Sequence, residues 1–352
     1  MNLNKMGFNE FFQNDFQANY SDQTLIVGRV ALEHKRLYRV WTEVGELLCE
    51  VSGKFSFNAT SREDYPAVGD WVVLNGRPEE QKGTIHGVLS RKSKFSRKVA
   101  GETTDEQIVA TNVDTVFLVS SLNDDLNLRR LERYLLLTWE SGANPVIVLT
   151  KTDLASDIHE KVSAIEAVAL GVPIIPISVV DGTGIEELTR YVESEKTIAL
   201  LGSSGVGKST IMNYFLGEEK QKVQGIREDD AKGRHTTTHR EMVLLPNGAI
   251  LIDTPGMREI QLWEGGEGLS ESFSDIEQLA DRCKFRDCTH KNEPGCAVLM
   301  AIEDGVLDAD RLHSYKKLLK ELAYLDRKLD KRAQAAEKSK WKSINKQIKN
   351  RR

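Results

Sequence analysis

Long apolar runs are absent from this 352-residue sequence, and no stretch approaches the roughly 18 residues that a membrane-spanning helix needs. The opening residues, MNLNKMGFNEFFQNDF, carry scattered phenylalanines but no continuous apolar core. That pattern excludes a secretory signal and makes the cytoplasm the expected compartment, with no membrane partner. Cysteine is scarce as well. Four in a chain of this length cannot supply the disulfide framework of a secreted protein. There is no internal repeat and no low-complexity tract.

What is present fits a globular protein of two or three domains: 40% hydrophobic and 29% charged residues over a length that exceeds one ordinary core. The net charge of −5 conceals an asymmetry. From Arg311 onward there are 15 Lys/Arg against 4 Asp/Glu, so a basic C-terminal segment follows an acidic body. A solvated helical tail explains this in bland terms, and contact with nucleic acid explains it functionally.

Along the chain the pattern changes twice. Residues 1–22 are polar with isolated phenylalanines and read as a loosely ordered leader. From Thr24 to about Lys98, short alternating segments (TLIVGRVALE, RLYRVWT, ELLCEVSG, GDWVVLN, GTIHGVLS) are punctuated by Gly, Pro, Asn and Asp. Five such strands suggest a small β-barrel of the OB type, with an SH3-like barrel as the alternative. The run RKSKFSRK, Arg91 to Lys98, closes this region and suits either RNA phosphates or a solvated linker. After Val99 the pattern becomes α/β. VDTVFLVSS, NPVIVLT, VPIIPISV, KTIALLG, REMVLLP and GAILIDT read as strands. Helical segments lie between the first four, one over Leu128–Gly142 and another over Ile158–Leu170. Strands alternating with helices imply a mostly parallel, doubly wound sheet.

Chemistry is carried by a few short motifs. Gly202-Ser203-Ser204-Gly205-Val206-Gly207-Lys208-Ser209-Thr210 is a complete phosphate loop between a strand and a helix. Its glycines let backbone N–H groups face phosphates, Lys208 suits the β- and γ-phosphates, and the Ser209 hydroxyl suits Mg²⁺. Asp253-Thr254-Pro255-Gly256 lies 45 residues after Lys208 at the end of an apolar strand. There Asp253 suits the far side of Mg²⁺ and the Gly256 N–H suits the γ-phosphate. Between them, GRHTTTHRE offers three adjacent threonines that can close the Mg²⁺ shell in the triphosphate state. Thr150-Lys151-Thr152-Asp153 reads guanine. The Asp153 carboxylate accepts from the N1–H and exocyclic amine, and the Lys151 stem lies along the ring. Thr150 stands where asparagine is commoner, so an amide contact is lost. Ser178, opening SVVDGTG, adds backbone contacts to the base. Finally Cys283-x4-Cys288-x-His290-x5-Cys296 supplies three thiolates and one imidazole, the closed tetrahedral set of a structural zinc site. Cys49 lies alone in a strand and reads as a core residue.

The base-reading loops precede the phosphate loop, the reverse of the usual order. In that order the chain resembles the circularly permuted GTPases, and most closely the bacterial ribosome-small-subunit-dependent GTPase family. The resemblance covers nearly the whole chain. It implies an N-terminal OB-type barrel over 23–99, a permuted P-loop GTPase domain over 100–262, a mostly helical zinc domain over 263–330 and a basic tail over 331–352. It further implies GTP hydrolysis stimulated by the small ribosomal subunit, GTP and GDP as ligands with Mg²⁺, one structural Zn²⁺, and the 30S subunit with its 16S rRNA as partner of a monomer. The alternative function is a nucleotide-regulated RNA-binding module that does not hydrolyse. Met257 occupies the place where many GTPases carry a water-orienting glutamine, and the resemblance points to His235 and Thr237 as the catalytic pair. Gly205 stands where a potassium-dependent subset has asparagine, so that mechanism lacks its usual ligand.

Overall fold

A computed structural model describes residues 2–20, 22, 24–34, 36–98, 106–122, 126–217, 241–253 and 267–323. The chain divides into two compact units, Met1–Gln261 and Leu262–Arg352. Among the described residues, no helix is long and apolar enough to cross a membrane.

The first unit opens with helix α1, Glu10–Asn19, in the segment expected to be a loose leader. Asn9 caps it by accepting a hydrogen bond from the Phe11 N–H. Met6 and Phe12 are buried, and the Phe8 and Phe12 rings pack on Trp71 with centroids 4.9 and 5.7 Å away. Of the phenylalanines that looked scattered, Phe12 is buried from α1 and Phe8 packs beside it just before the helix, while Phe11 is exposed. Strands β1 (Ile26–His34), β2 (Leu37–Thr42) and β3 (Gly45–Val51) form a meander. After the short helix α2 (Gly53–Asn58) come β4 (Trp71–Arg77) and β5 (Lys82–Val88). β3 pairs parallel with β5, β5 antiparallel with β4, and β4 antiparallel with β1. The ring β1-β2-β3-β5-β4 closes on itself, which is the OB-type arrangement rather than an SH3-like one. Its core includes Val30, Tyr38, Val40, Leu47 and Leu74. Cys49 belongs to this core, and burial pushes its thiol up to about 12.

The basic run after the barrel has structural partners. β6 (Lys94–Lys98) pairs with β7 (Glu106–Thr111) in a separate hairpin, with Phe95 buried. Arg91 forms a two-pronged pair with the fully buried Asp70, at 2.8 and 2.7 Å. Lys92 lies over the rings of Phe11 and Phe12. These side chains hold the barrel to its surroundings, which accounts for much of the charge in that stretch.

The α/β layer follows: β8 (Thr115–Ser121), α3 (Leu128–Glu140), β9 (Asn144–Thr150), α4 (Ile158–Glu166), β10 (Ile174–Pro176), α5 (Ile185–Thr189), β11 (Thr197–Leu201), α6 (Lys208–Leu216), β12 (Glu241–Leu244) and β13 (Ile250–Asp253). α4 stops four residues short of the expected Leu170, where the chain tightens into turns. Strand order is β10-β9-β8-β11-β13-β12, parallel except for β12. The strands are nearly continuous Val, Ile, Leu and Phe because both faces are covered. β12 also pairs with β1 at Leu32↔Glu241, so barrel and α/β layer share one eleven-stranded sheet. Arg39 Nη2 reaches Glu241 Oε1 at 2.9 Å across that seam. Beneath it Arg29, buried from solvent, donates to the carbonyls of Met6, Gly69 and Asn112 and to Thr197 Oγ1. One guanidinium thus ties the N-terminal segment, the barrel and the start of β11 together.

The second unit is mostly helical, as expected. It contains α7 (Glu267–Ser272), α8 (Ser274–Ala280), α9 (Ala297–Glu303) and α10 over residues 309–323. Arg311 clamps Asp275 through two bonds of 2.7 and 2.8 Å and lies over the buried Phe273 ring.

Candidate nucleotide site and metal knuckle

In a parallel sheet the ligand sits beyond the carboxyl ends of the strands, where the loops emerge. β9, β10 and β11 end on one edge, and their loops carry Thr150–Asp153, Ser178–Gly184 and Gly202–Gly207. β11 is central, flanked by β8 and β13. Its loop leads directly into α6, so the N-terminal amides of a nine-residue helix complete the cradle. Gly202 passes so close to β8 that a β-carbon there would meet the Val119 carbonyl oxygen at 2.3 Å. Gly207, at φ +100°, turns the chain into the helix through left-handed backbone that side chains disfavour. Val206 is buried in the apolar core and anchors the loop from below, leaving Ser204 and Gly205 exposed. The Lys208 ammonium lies over the loop, donating to the Gly202 carbonyl at 2.7 Å and to that of Ser203. Ser209 and Thr210 are exposed at the start of α6.

The Thr150–Asp153 loop is joined to the phosphate loop by a hydrogen bond. Thr150 Oγ1 donates to the Val206 carbonyl at 2.6 Å, between residues 56 apart in sequence. The lost amide expected at Thr150 is thus replaced by a hydroxyl that fastens the two loops. The methyl group of Thr150 lies 3.6 Å from where a β-carbon on Gly207 would stand. Lys151 adopts left-handed backbone, φ 63°, and the chain then turns through Thr152–Leu154 with Asp153 exposed. Thr152 donates its N–H to the Ile177 carbonyl, tying this loop to the next. Ser178 is buried, and its Oγ accepts from the N–H groups of Val180 and Asp181, which shapes the second base loop. The Thr183 N–H and hydroxyl hold the Asp181 carboxyl below its usual range. Asp253 is the last residue of β13, beside β11. His235, Thr237 and Gly256 lie outside the described residues.

In the second unit, Cys283, Cys288, His290 and Cys296 come together with all four ligand atoms within 4.8 Å of one another. The Cys283 and Cys296 sulfurs are 3.8 Å apart, and His290 Nδ1 stands 3.6 and 3.4 Å from them. Such a cluster can hold a metal ion. Cys296 also caps α9 by accepting from the Leu299 N–H.

A closed five-stranded barrel, a central phosphate loop, and base loops that precede it in the chain define a circularly permuted P-loop GTPase. Comparison with known proteins agrees with this class. The family model described as RsgA GTPase matches residues 88–263. A second, described as 50S ribosome-binding GTPase, matches residues 197–333 and so begins at the first residue of β11. The chain is 47% identical to small ribosomal subunit biogenesis GTPase RsgA 1 of Oceanobacillus iheyensis over the full length of both. It is 45% identical to the RsgA of Methanosarcina acetivorans, covering 99% of this chain and 93% of that one. Among solved structures, YjeQ from Thermotoga maritima aligns with a TM-score of 0.63 and 28% identity, over 85% of this chain and 99% of that one. YloQ, a circularly permuted GTPase, aligns at 0.62 and 25%, over 88% and 98%. The chain belongs to the RsgA GTPase family and is a GTP hydrolase.

Proposed function

We propose that this GTPase acts in late maturation of the small ribosomal subunit, binding the 30S particle through its 16S rRNA in the cytoplasm as a monomer, with hydrolysis stimulated by that particle. The observation that carries the nucleotide chemistry is the hydroxyl–carbonyl bond from Thr150 to Val206, which links the two loops that the parallel sheet brings to one end despite their inverted order. The ribosomal assignment is supported by full-length similarity to proteins named for small-subunit biogenesis. Asp153 and Lys151 read guanine, and Ser178 shapes the loop beside it. Residues Gly202–Thr210 hold the phosphates, with Lys208 neutralising the β- and γ-groups. Gly256 senses the γ-phosphate. Ser209, Asp253 and Thr237 ligate Mg²⁺, which draws charge from the transferred phosphoryl oxygens when bound. His235 orients the attacking water, since Met257 has no group able to do so. Because the permutation cuts the sheet after Asp253, the segment behind the γ-phosphate sensor runs straight into the C-terminal unit. Nucleotide state is thereby linked along the chain to whatever that unit binds.

Zinc is the ion proposed for the Cys/His cluster. Tetrahedral Zn–S bonds of about 2.3 Å and Zn–N bonds of about 2.0–2.1 Å require S···S edges of about 3.8 Å and S···N edges of about 3.5 Å. The distances of 3.8, 3.6 and 3.4 Å match these edges. Four protein ligands leave no open position, so the ion would supply folding rather than catalysis.

The test is GTP turnover with and without purified 30S subunits. Ordering of a GTPase site by a partner is worth about 10³–10⁵ in rate where an arginine finger supplies it. A rise of at least about tenfold is expected, weakening with salt as Lys/Arg–phosphate contacts are screened. Unchanged turnover at low salt, with zinc and Mg²⁺ present, would sink the ribosomal reading.

A further inference from the structure

The five-residue spacer between His290 and Cys296 is built around one carboxylate. Glu293 Oε1 accepts from the Thr289 N–H at 2.9 Å and from the Thr289 hydroxyl. Its Oε2 accepts from the N–H groups of Lys291 and Asn292 at 2.7 and 3.0 Å. Both oxygens are doubly used, and the donors come from either side of His290. From α10, Lys316 Nζ donates to the His290 carbonyl at 2.6 Å. His290 has left-handed backbone, φ 55°, a conformation uncommon for residues with a β-carbon although histidine visits it more readily than most. The result points Nδ1, not Nε2, at the sulfurs of Cys283 and Cys296.

We propose that Glu293 and Lys316 are positioning residues for the metal centre: they fix the His290 backbone on both sides and at its carbonyl, so that the imidazole waits in ligand geometry before the ion arrives. This rests on the reading of the cluster as a metal site. Without these bonds the ligands would have to be ordered at the moment of binding, and that ordering would be subtracted from affinity. Outer groups that orient metal ligands typically contribute 10–100-fold to affinity. Glu293 does not itself belong to the ligand set, because its two oxygens are turned into the spacer and fully occupied by four donors.

The experiment measures Zn²⁺ affinity of the full chain by competition with a chromophoric chelator at fixed pH, and records the Co²⁺ absorption spectrum at saturation. GDP affinity of the same preparations serves as the folding control. Glu293→Gln keeps the size but replaces an acceptor with a donor, leaving spacer N–H groups unpaired. It is expected to weaken Zn²⁺ by about 10–100-fold with the saturated Co²⁺ spectrum unchanged. Lys316→Met is expected to weaken it less, and Glu293→Asp to recover part of the loss. Zn²⁺ affinity equal to wild type in both Glu293→Gln and Lys316→Met overturns the proposal. So does an altered Co²⁺ spectrum in Glu293→Gln, which would make Glu293 a ligand. A wild-type chain that binds neither ion refutes the metal site itself, a result distinct from either.

Discussion

The proposed nucleotide site and the Cys/His knuckle are built by opposite means. The nucleotide loops come from Thr150, Ser178 and Gly202 onward, far apart in sequence, and are brought together by a sheet whose core is Val, Ile and Leu. Their partners include many backbone groups, and the Thr150 hydroxyl links the first of these loops to the phosphate loop at the Val206 carbonyl. The knuckle uses 14 consecutive residues, Cys283–Cys296, and the described elements on either side of it are helices. Its shape comes from polar side chains gripping the spacer backbone. A site supported by a core should lose ligand without losing its fold when one contact is removed. A site made of a short loop and an ion should lose both together.

The largest effect is expected at the knuckle. Cys288→Ser replaces a thiolate with a hydroxyl that is a poor zinc ligand, in a site whose metal contributes about 10–16 kcal/mol in comparable small domains. Elemental analysis should find one zinc per wild-type chain and none in the variant, with GDP affinity unchanged to within about twofold, because the Cys/His cluster and the phosphate loop belong to separate compact units. Zinc still present in the Cys283/Cys288/Cys296 triple variant would remove the site altogether. Next in size is Lys208→Ala. The ammonium is expected to make charge-assisted bonds to two phosphates, each worth about 1.5–3 kcal/mol. Affinity for a non-hydrolysable GTP analogue should fall by about 100-fold or more while thermal stability and zinc content hold. Loss of zinc in Lys208→Ala would break the contrast between the two sites.

The sequence made these two sites unequally visible, for the same reason that they differ in build. The knuckle is local, so Cys283, Cys288, His290 and Cys296 could be assigned from spacing, yet Glu293 was passed over. Its signal was there: an acid inside a ligand spacer, followed by Pro294-Gly295, is well placed to fold that spacer. The phosphate loop was legible because only glycine survives at Gly202 and Gly207. The barrel strands were legible by alternation, and the closing parallel pair β3–β5 chose the OB arrangement that alternation alone left open. What escaped were features set by contacts distant in sequence. α1 was read as a loose leader because Phe12, and Phe8 just before the helix, pack on Trp71, a partner no local pattern announces. Among the described residues β1 and β12 pair at Leu32 and Glu241, too little to leave a periodic trace. The basic run Arg91–Lys98 read equally as an RNA contact or a solvated linker because the acid that pairs with Arg91, Asp70, lies 21 residues upstream.

The smallest expected effect tests the bond that joins the two halves of the nucleotide site. Thr150→Val preserves shape and β-branching but removes the hydroxyl, leaving the Val206 carbonyl without that donor in a region closed to water. An unsatisfied buried polar group costs about 1–3 kcal/mol. Some of that should be recovered as the phosphate loop shifts toward solvent. GDP dissociation is therefore expected to accelerate by about 5–30-fold, the equivalent of about 1–2 kcal/mol. Thr150→Ser keeps the hydroxyl and should stay near wild type. The reading that Thr150 fastens one loop to the other also makes a finer demand. If the hydroxyl served the base alone, the valine change would weaken GDP and guanosine by the same factor. If it links the loops, guanosine, which does not touch the phosphate loop, should be affected much less than GDP. Equal losses for both ligands would assign Thr150 to the base, and equal affinities throughout would show that the sheet alone sets the spacing of the two loops.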